Sequence, residues 1–555
     1  LIASLLALRR AQPAQALQAA RTAADLASAV GAAPLQCDAF VQLAQVHRRA
    51  GDFESAVHAA HTAVDATERV RSALGAELLR RAYLGRSGDA HEELVLAHLG
   101  SAAPDAAVRA MEAAERGKGR SLVERALAAQ GDRAAAPNPV CAPDGSPASD
   151  LAQARSQLES AYRKMGLGRA TGDSAAATHA VAELEARLSR LEIASAGSEA
   201  ARATLHAAPH LGRVLDALGS QQALVEFFRA RGAWIAFVAR RGEVRFVQLD
   251  ATDADIAAAS GRLGFQVRKA LRDSQAGRST SHHAAMDALE SLGTMLWSPI
   301  DRQGALPEQV IVVPHGLLHA IPFSALRCSD SWLIDRHELS VLPCAALLPV
   351  LASARNSAEN AAEINAKTPL VVGVADSDAP AIRDEAIAVA RALGCTPLLD
   401  GDASAERVAR ALAQSSRAHL ACHGQFFPEA PSSSGLRLAD RWFGSRDVYD
   451  LARAPLEVVL SACDTGGLDV RAGDELTGLV HAFMARGAQR VVASLWSAND
   501  ASSARIVLDM YASMRSLGDH QSLSPRSLRL AQLAERDRSV HPAFWAPFTF
   551  TGIHA

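Results

Sequence analysis

From Leu1 to Asp132 apolar residues recur at three- and four-residue spacing in an alanine-rich stretch broken by glycines, which predicts short antiparallel helices and no strands. Four prolines with Gly, Ser and Asp between Ala134 and Asp150 cannot bury enough surface to fold and read as a linker, assigned to 133–150. Helical spacing resumes at 151–195, with Leu158, Tyr162, Val181, Leu184 and Leu188 on apolar faces and a break at Gly172, so 151–205 reads as a helical hairpin. Strand patterns then appear at 223–228, 234–238 and 244–249, joined by short glycine turns as in antiparallel hairpins. Further runs rich in valine, at 310–313, 369–374, 418–422, 458–462 and 490–496, alternate with helical stretches at 383–393, 403–413 and 476–487. That alternation predicts a mostly parallel sheet covered on both faces. The predicted fold class is therefore multidomain, α-helical first and α/β second. Phe548 to Thr551, flanked by Pro542 and Pro547, reads as a terminal edge strand.

A chain of 555 residues exceeds one hydrophobic core. With 49% apolar residues and a formal net charge of -3 it has the composition of a globular protein and lacks the positive field that nucleic acid requires, so no nucleic-acid partner is expected. No apolar run approaches the roughly 18 residues needed to cross a bilayer, and no membrane partner is expected. Leu1 to Leu8 precedes Arg9 and Arg10 instead of following basic residues, unlike a signal peptide; because the chain opens in helical periodicity it reads as a fragment with helices missing upstream. Seven scattered cysteines form no disulfide framework, which points to a reducing, cytoplasmic setting.

Two segments carry the chemistry. Ala418 to Gly424 and Val458 to Gly466 each read as a buried strand that ends in a reactive side chain near glycine, which puts His423 and Cys463 at the C-terminal lip of an open α/β sheet, where such sheets keep their sites. His423 is the candidate base and Cys463 the candidate nucleophile. Glycine after the histidine lets backbone approach a substrate, so the N–H groups of Gly424 and Cys463 are the candidate oxyanion donors. Asp464 either orients the loop or substrate, or caps the following turn. Trp496 sits close enough to the lip to wall a pocket, although burial in the core is its commoner role. Cys422 beside His423 invites a metal reading, but neighbours on a strand point to opposite faces and no further ligands lie at zinc spacing; no metal or cofactor is expected. The charge between Asp105 and Arg125 reads as the solvated face of one longer helix. The polar loop from Ala352 to Thr368, with Arg355, reads as a surface connection in preference to an autoprocessing site.

Leu43, Gly51, Phe53, Ala56 and Ala63 follow the small, glycine and aromatic positions of a tetratricopeptide (TPR) repeat, so 1–132 reads as TPR-like repeats. The later motifs resemble the CHAT domain, a caspase-related cysteine peptidase module often found behind such repeats and distantly similar to separase. They are Val312-Val-Pro-His-Gly-Leu-Leu-His-Ala-Ile-Pro-Phe323, Leu420-Ala-Cys-His-Gly424, Ser434-Gly-Leu-Arg-Leu438, Leu460-Ser-Ala-Cys-Asp-Thr-Gly466, Glu475 to Leu479, Ser494 to Trp496 and His541-Pro-Ala-Phe-Trp-Ala-Pro547. The resemblance implies a caspase-like fold with a non-catalytic half at 206–360 and a catalytic half at 361–555, His423 as the catalytic histidine and Cys463 as the nucleophile. His315 stands where such domains often have Asp and is placed outside the chemistry. By similarity to separase-like relatives, Asp500 is the candidate acid of a pocket that receives a basic residue; the alternative is that it caps the helix that follows. The implied function is a cysteine endopeptidase that cleaves a protein after Arg or Lys and is regulated by a protein activator bound at the helices. In bacteria the resemblance extends to defence-like proteolysis, with gasdermin-like pore proteins as targets. A catalytically silent scaffold and a thiol amidase or acyltransferase are the alternatives.

Overall fold

The computed structural model describes residues 1–73, 77–132, 211–278, 281–328, 330–355, 368–375, 381–425, 435–461, 469–471, 475–496, 500–516 and 522–554, and the single positions 157, 183, 184 and 187. The expected linker, nearly all of the expected hairpin at 151–205 and most of the loop after Arg355 lie outside them.

The first 132 residues form helices α1 (Ile2–Arg9), α2 (Pro13–Val30), α3 (Ala33–Arg49), α4 (Phe53–Ala73), α5 (Glu77–Gly100), α6 (Ala106–Arg116) and α7 (Arg120–Asp132), and no strand is present among the described residues there. The hairpin of α3 and α4 turns at Gly51, whose φ of 78° favours glycine, and Ala56, Ala60 and Ala63 are fully buried where helices press together. This is the helix–turn–helix arrangement that the repeat pattern predicts.

One expectation fails here. The stretch from Asp105 to Arg125 is not a single helix with a solvated charged face: α6 and α7 are separate, and the link between them, Gly117-Lys118-Gly119, is buried at the lysine. Gly119 has a φ of 50°, and a Cβ there would lie 2.8 Å from the Cys344 sulfur. Lys118 is 1% exposed, its Nζ lies 3.1 Å from Oε1 of the fully buried Glu226, and it donates to the Phe227 carbonyl at 2.6 Å. Glu115, also buried, accepts the Ala346 amide at 2.7 Å. The partners lie more than one hundred residues ahead in the chain, beyond the reach of local charge patterning.

Eleven strands build the main sheet: β1 (Gln222–Ala230), β2 (Ala233–Arg240), β3 (Glu243–Leu249), β4 (Gln309–Val313), β7 (Glu338–Val341), β8 (Leu370–Val374), β9 (Leu398–Leu399), β10 (Arg417–Cys422), β14 (Glu457–Ser461), β17 (Arg490–Ser494) and β18 (Phe548–Gly552). Smaller ribbons are β5 (Arg327–Cys328) with β6 (Ser331–Trp332), β11 (Gly424–Gln425) with β12 (Gly435–Arg437) and β13 (Trp442–Gly444), and β15 (Asp469–Arg471) with β16 (Glu475–Thr477). The main sheet runs β3-β2-β1-β4-β7-β18-β17-β14-β10-β8-β9. β1 to β3 are the expected antiparallel meander, and β17, β14, β10, β8 and β9 pair in parallel.

β18 corrects a second expectation. It is not an edge strand: it pairs antiparallel with β17 and parallel with β7, in the middle of the sheet. The flanking prolines that suggested an edge act outside its ladder, where the Pro547 carbonyl accepts the Leu495 amide at 2.8 Å. The preceding His-Pro-Ala-Phe-Trp segment is a single helical turn, Pro542–Trp545, capped by His541 Nδ1, which accepts the Ala543 amide at 3.1 Å. The helix expected at 476–487 is also shorter, Leu479–Ala485, because β16 occupies its start.

Successive side chains along each parallel strand enter different cores, as strand alternation requires. Leu420, Cys422, Val458, Leu460, Val491 and Ala493 share one core with the helix Leu479–Ala485 and with Met111 and Leu122 of α6 and α7. Val371, Val459 and Val492 pack with Ile506, Met510 and Tyr511 of the helix Asp500–Ser516 on the opposite face. The N-terminal helices thus share a hydrophobic core with the sheet.

Candidate functional site

All six residues of β10 are buried, and His423 follows its last residue at a half-buried position. A strand with both faces covered can expose chemistry only at its ends, so the rim is where this histidine becomes available. The neighbouring β14 runs parallel with an offset of 40 residues, from Arg417 opposite Glu457 to Ala421 opposite Ser461. The same offset separates His423 from Cys463 in the sequence. Cys463 and Asp464 lie outside the described residues, two and three positions beyond the end of β14.

At the opposite end of the same strands the register is held by charge. Glu457 accepts Arg417 at 2.5 and 2.7 Å, Arg490 at 3.2 Å and the Leu523 amide at 2.9 Å, all of them buried. These three groups tie β10, β14 and β17 together, so a slip of β14 against β10 would leave a buried charge unmatched. Below the rim, His419 Nε2 lies 3.0 Å from Glu385 Oε1, and its Nδ1 lies 3.5 Å from the hydroxyl of Tyr511. Burial pushes the Tyr511 hydroxyl far above its ordinary pKa, which keeps it protonated. His419 escaped the sequence reading because it sits within a run read as apolar strand, and Glu457 because it stands one residue before such a run; a polar or charged residue in or against such a run is the signal that a buried partner is needed.

Gly424 opens the small ribbon that follows His423. The Arg437 amide donates to the His423 carbonyl at 2.7 Å, and Gly424 then pairs with Leu436 and Gln425 with Gly435. In an antiparallel ladder hydrogen-bonded and non-hydrogen-bonded pairs alternate, so the Gly424 N–H points away from β12. Trp496 lies just beyond β17, half-buried, and its indole Nε1 donates to the Ala543 carbonyl at 3.2 Å. Asp500 is the first residue of the helix Asp500–Ser516, and its side chain is outside the description. His315 packs edge-on to Phe228 and Trp234, at 5.1 and 6.0 Å between ring centres, within the β1–β4 half of the sheet. Cys422 is fully buried. Among the described residues no cluster of three or more His, Cys, Asp or Glu side chains is arranged to hold a metal.

The family model for the CHAT domain matches residues 286–553, a span that starts in the helix His283–Leu296 and ends one residue beyond β18. Those residues match the CHAT domain. Relatives of the chain include Tetratricopeptide repeat protein 28 of Mus musculus, 26% identical over 300 residues, and Tetratricopeptide repeat protein 28 of Homo sapiens, 27% identical over 296 residues. Each alignment takes in 44% of this chain, which spans only 12% of the length of these relatives. Among solved structures, the separase–securin complex of Saccharomyces cerevisiae aligns over 99% of this chain and 52% of its own, with a TM-score of 0.47 and 9% identity. The Arg-specific cysteine proteinase gingipain R aligns over 53% of this chain and 74% of its own, with a TM-score of 0.32 and 12% identity. The matched region follows the helices of the first 132 residues, with which it shares a hydrophobic core.

Proposed function

We propose that the CHAT domain is a cysteine endopeptidase with Cys463 as nucleophile and His423 as base, cleaving a protein substrate after Arg or Lys. The observation that carries this reading is the common 40-residue offset of the β10–β14 register and of the two reactive residues. Parallel neighbours lie about 4.8 Å apart, so a register continued past Ser461 would bring a sulfur and an imidazole within reach of each other at one rim. A free thiol with a pKa near 8.5 is only a few per cent ionised at neutral pH, and a neighbouring imidazole raises that fraction by accepting the proton.

In acylation the Cys463 sulfur forms a bond to the scissile carbonyl carbon while the C=O π pair moves onto oxygen. Collapse of that oxyanion expels the amine, which takes the proton held on His423, and leaves a thioester. Water then attacks the thioester, giving its proton to His423, and the thiolate departs. The oxyanion needs fixed donors, and the Gly424 N–H, directed away from β12, together with the Cys463 N–H would supply them. Asp500 would accept the guanidinium or ammonium of the residue before the scissile bond. The helical array would receive a protein activator; its α7 packs on the helix Leu479–Ala485, which follows the segment carrying Cys463. The scattered cysteines of the sequence suggest a reducing, cytoplasmic setting.

The test is a peptide library varied at the residue before the cleaved bond, offered to the chain and to Cys463→Ala with and without candidate activator proteins. Cleavage after Arg or Lys that disappears in the variant supports the proposal. A Cys463 that reacts with iodoacetamide while no library member is cut would move the domain to the scaffold or acyltransferase class, and cleavage retained by Cys463→Ala would remove the nucleophile.

A further inference from the structure

The segment Ser434-Gly-Leu-Arg-Leu438 has no part in the chemistry above, yet most of it is β12, the strand that grips the backbone of His423. We infer that this ribbon is the device that aims the Gly424 N–H into the oxyanion site, with the Arg437 backbone amide and Gly435 as positioning residues. The inference rests on the peptidase reading of the same rim and deepens it.

The argument starts from one peptide unit. The bond between His423 and Gly424 joins a carbonyl and an N–H that point in opposite directions in a planar trans peptide. Arg437 N–H holds the carbonyl at 2.7 Å, so the plane cannot turn without losing that hydrogen bond, and the Gly424 N–H is fixed on the other side. Glycine at position 424 would otherwise let this peptide flip cheaply, since it tolerates both signs of φ. A donor that must be in place before the charge develops needs such a restraint, because reorganisation during the reaction would cancel its benefit.

The restraint is itself anchored. Gly435 lies so close to β13 that a Cβ would stand 2.6 Å from the Phe443 carbonyl oxygen and 2.9 Å from its carbon, so β12 approaches β13 closely only because this residue has no side chain. Leu436 and Phe443 are fully buried between the ribbon and the body of the domain. At the far end of β12 the Leu438 amide closes onto the Arg441 carbonyl at 3.0 Å, and the Ala439 amide reaches the Ala403 carbonyl at 3.1 Å. The Asp440 carboxylate accepts the Ala405 amide at 2.8 Å, and Asp447 accepts the Gly444 amide at 2.7 Å while pairing with Arg441 at 2.6 Å. The ribbon is thus tied to the helices Ala405–Gln414 and Ser445–Tyr449, and through them to the sheet.

The experiment compares the chain with Arg437→Pro, which deletes the amide donor, and Gly435→Val, which drives β12 off β13. Arg437→Ala, which keeps the donor, separates the side chain from the amide. Two rates are read on each: cleavage of the best Arg or Lys peptide from the library, and alkylation of Cys463 by iodoacetamide, which develops no carbonyl oxyanion. The inference expects kcat to fall roughly 100- to 1,000-fold in the proline and valine variants, the loss typical of one oxyanion donor, with alkylation within about threefold of the parent. Arg437→Ala should recover most of the kcat lost in the proline variant. Undiminished kcat in both variants overturns the inference, and so does an equal fall in cleavage and alkylation, which would mean that the ribbon holds up the whole site. A parent chain that cuts no peptide fails earlier and differently: it refutes the peptidase reading and takes this inference with it.

Discussion

Replacing Lys118 by Met removes the positive charge that pairs with the buried carboxyl of Glu226 where the helical array meets the sheet. Lys118 Nζ lies 3.1 Å from Glu226 Oε1 and 2.6 Å from the Phe227 carbonyl, and Glu226 is fully buried. Deleting one partner of a buried ion pair costs about 3–5 kcal/mol, because the other is stranded away from water. Burial, and then the charge of Glu115, raise the Glu226 pKa well above that of an ordinary carboxyl, so proton uptake relieves part of the cost and the low end of the range applies. A loss of about 3 kcal/mol corresponds to roughly 100-fold more frequent local opening, at 1.4 kcal/mol per factor of ten. Hydrogen exchange followed by mass spectrometry should show amides of α6, α7 and β1 exchanging about 100-fold faster in Lys118→Met, with α1 to α3 unchanged. Lys118→Met combined with Glu226→Leu leaves no stranded carboxylate at position 226 and should recover much of the protection. Unchanged exchange in the single variant, or a double variant that loses as much as both single changes added, would refute the reasoning.

Other perturbations test other links. Burial, and then the nearby His282, push His541 down to about 4, so its capping nitrogen stays unprotonated at neutral pH. A folded pKa below the unfolded value of about 6.5 means that its stabilisation is present above pH 6.5 and is lost as pH falls toward 4. Urea titrations of His541→Asn, which keeps a capping acceptor without titrating, should show a smaller loss of stability across that window. Glu457→Leu strands Arg417 and Arg490 and should cost about 3–5 kcal/mol, read as faster exchange of β10 and β14 amides. Asp500→Asn should weaken cleavage after Arg by at least tenfold in kcat/KM while sparing Cys463 alkylation; equal kcat/KM would return Asp500 to a helix-capping role.

The parallel half of the domain is legible because each of its buried strands is a short run rich in valine between helices of amphipathic spacing, and the β1–β3 meander announces itself through glycine turns. The rim is legible for the same reason: an apolar run that stops at His423 and Gly424 marks where a covered strand ends. Properties set by distant partners are not. The central position of β18 depends on which strands flank it, β17 about sixty residues earlier and β7 about two hundred, and nothing within Phe548 to Gly552 records that. Lys118 looks like any surface lysine until the fold brings Glu226 to it, and Arg437 matters through a backbone amide that has no sequence signature at all.

The pairing of Cys463 with His423 is the claim on which the rest stands, and the pH dependence of Cys463 alkylation by iodoacetamide tests it most directly, in the chain and in His423→Gln. The account predicts a reactive thiolate that persists well below pH 8.5 in the parent and a shift toward the free-thiol range, near 8.5, in the variant. A parent thiol that already titrates near 8.5, with the same profile when His423 is gone, would contradict it.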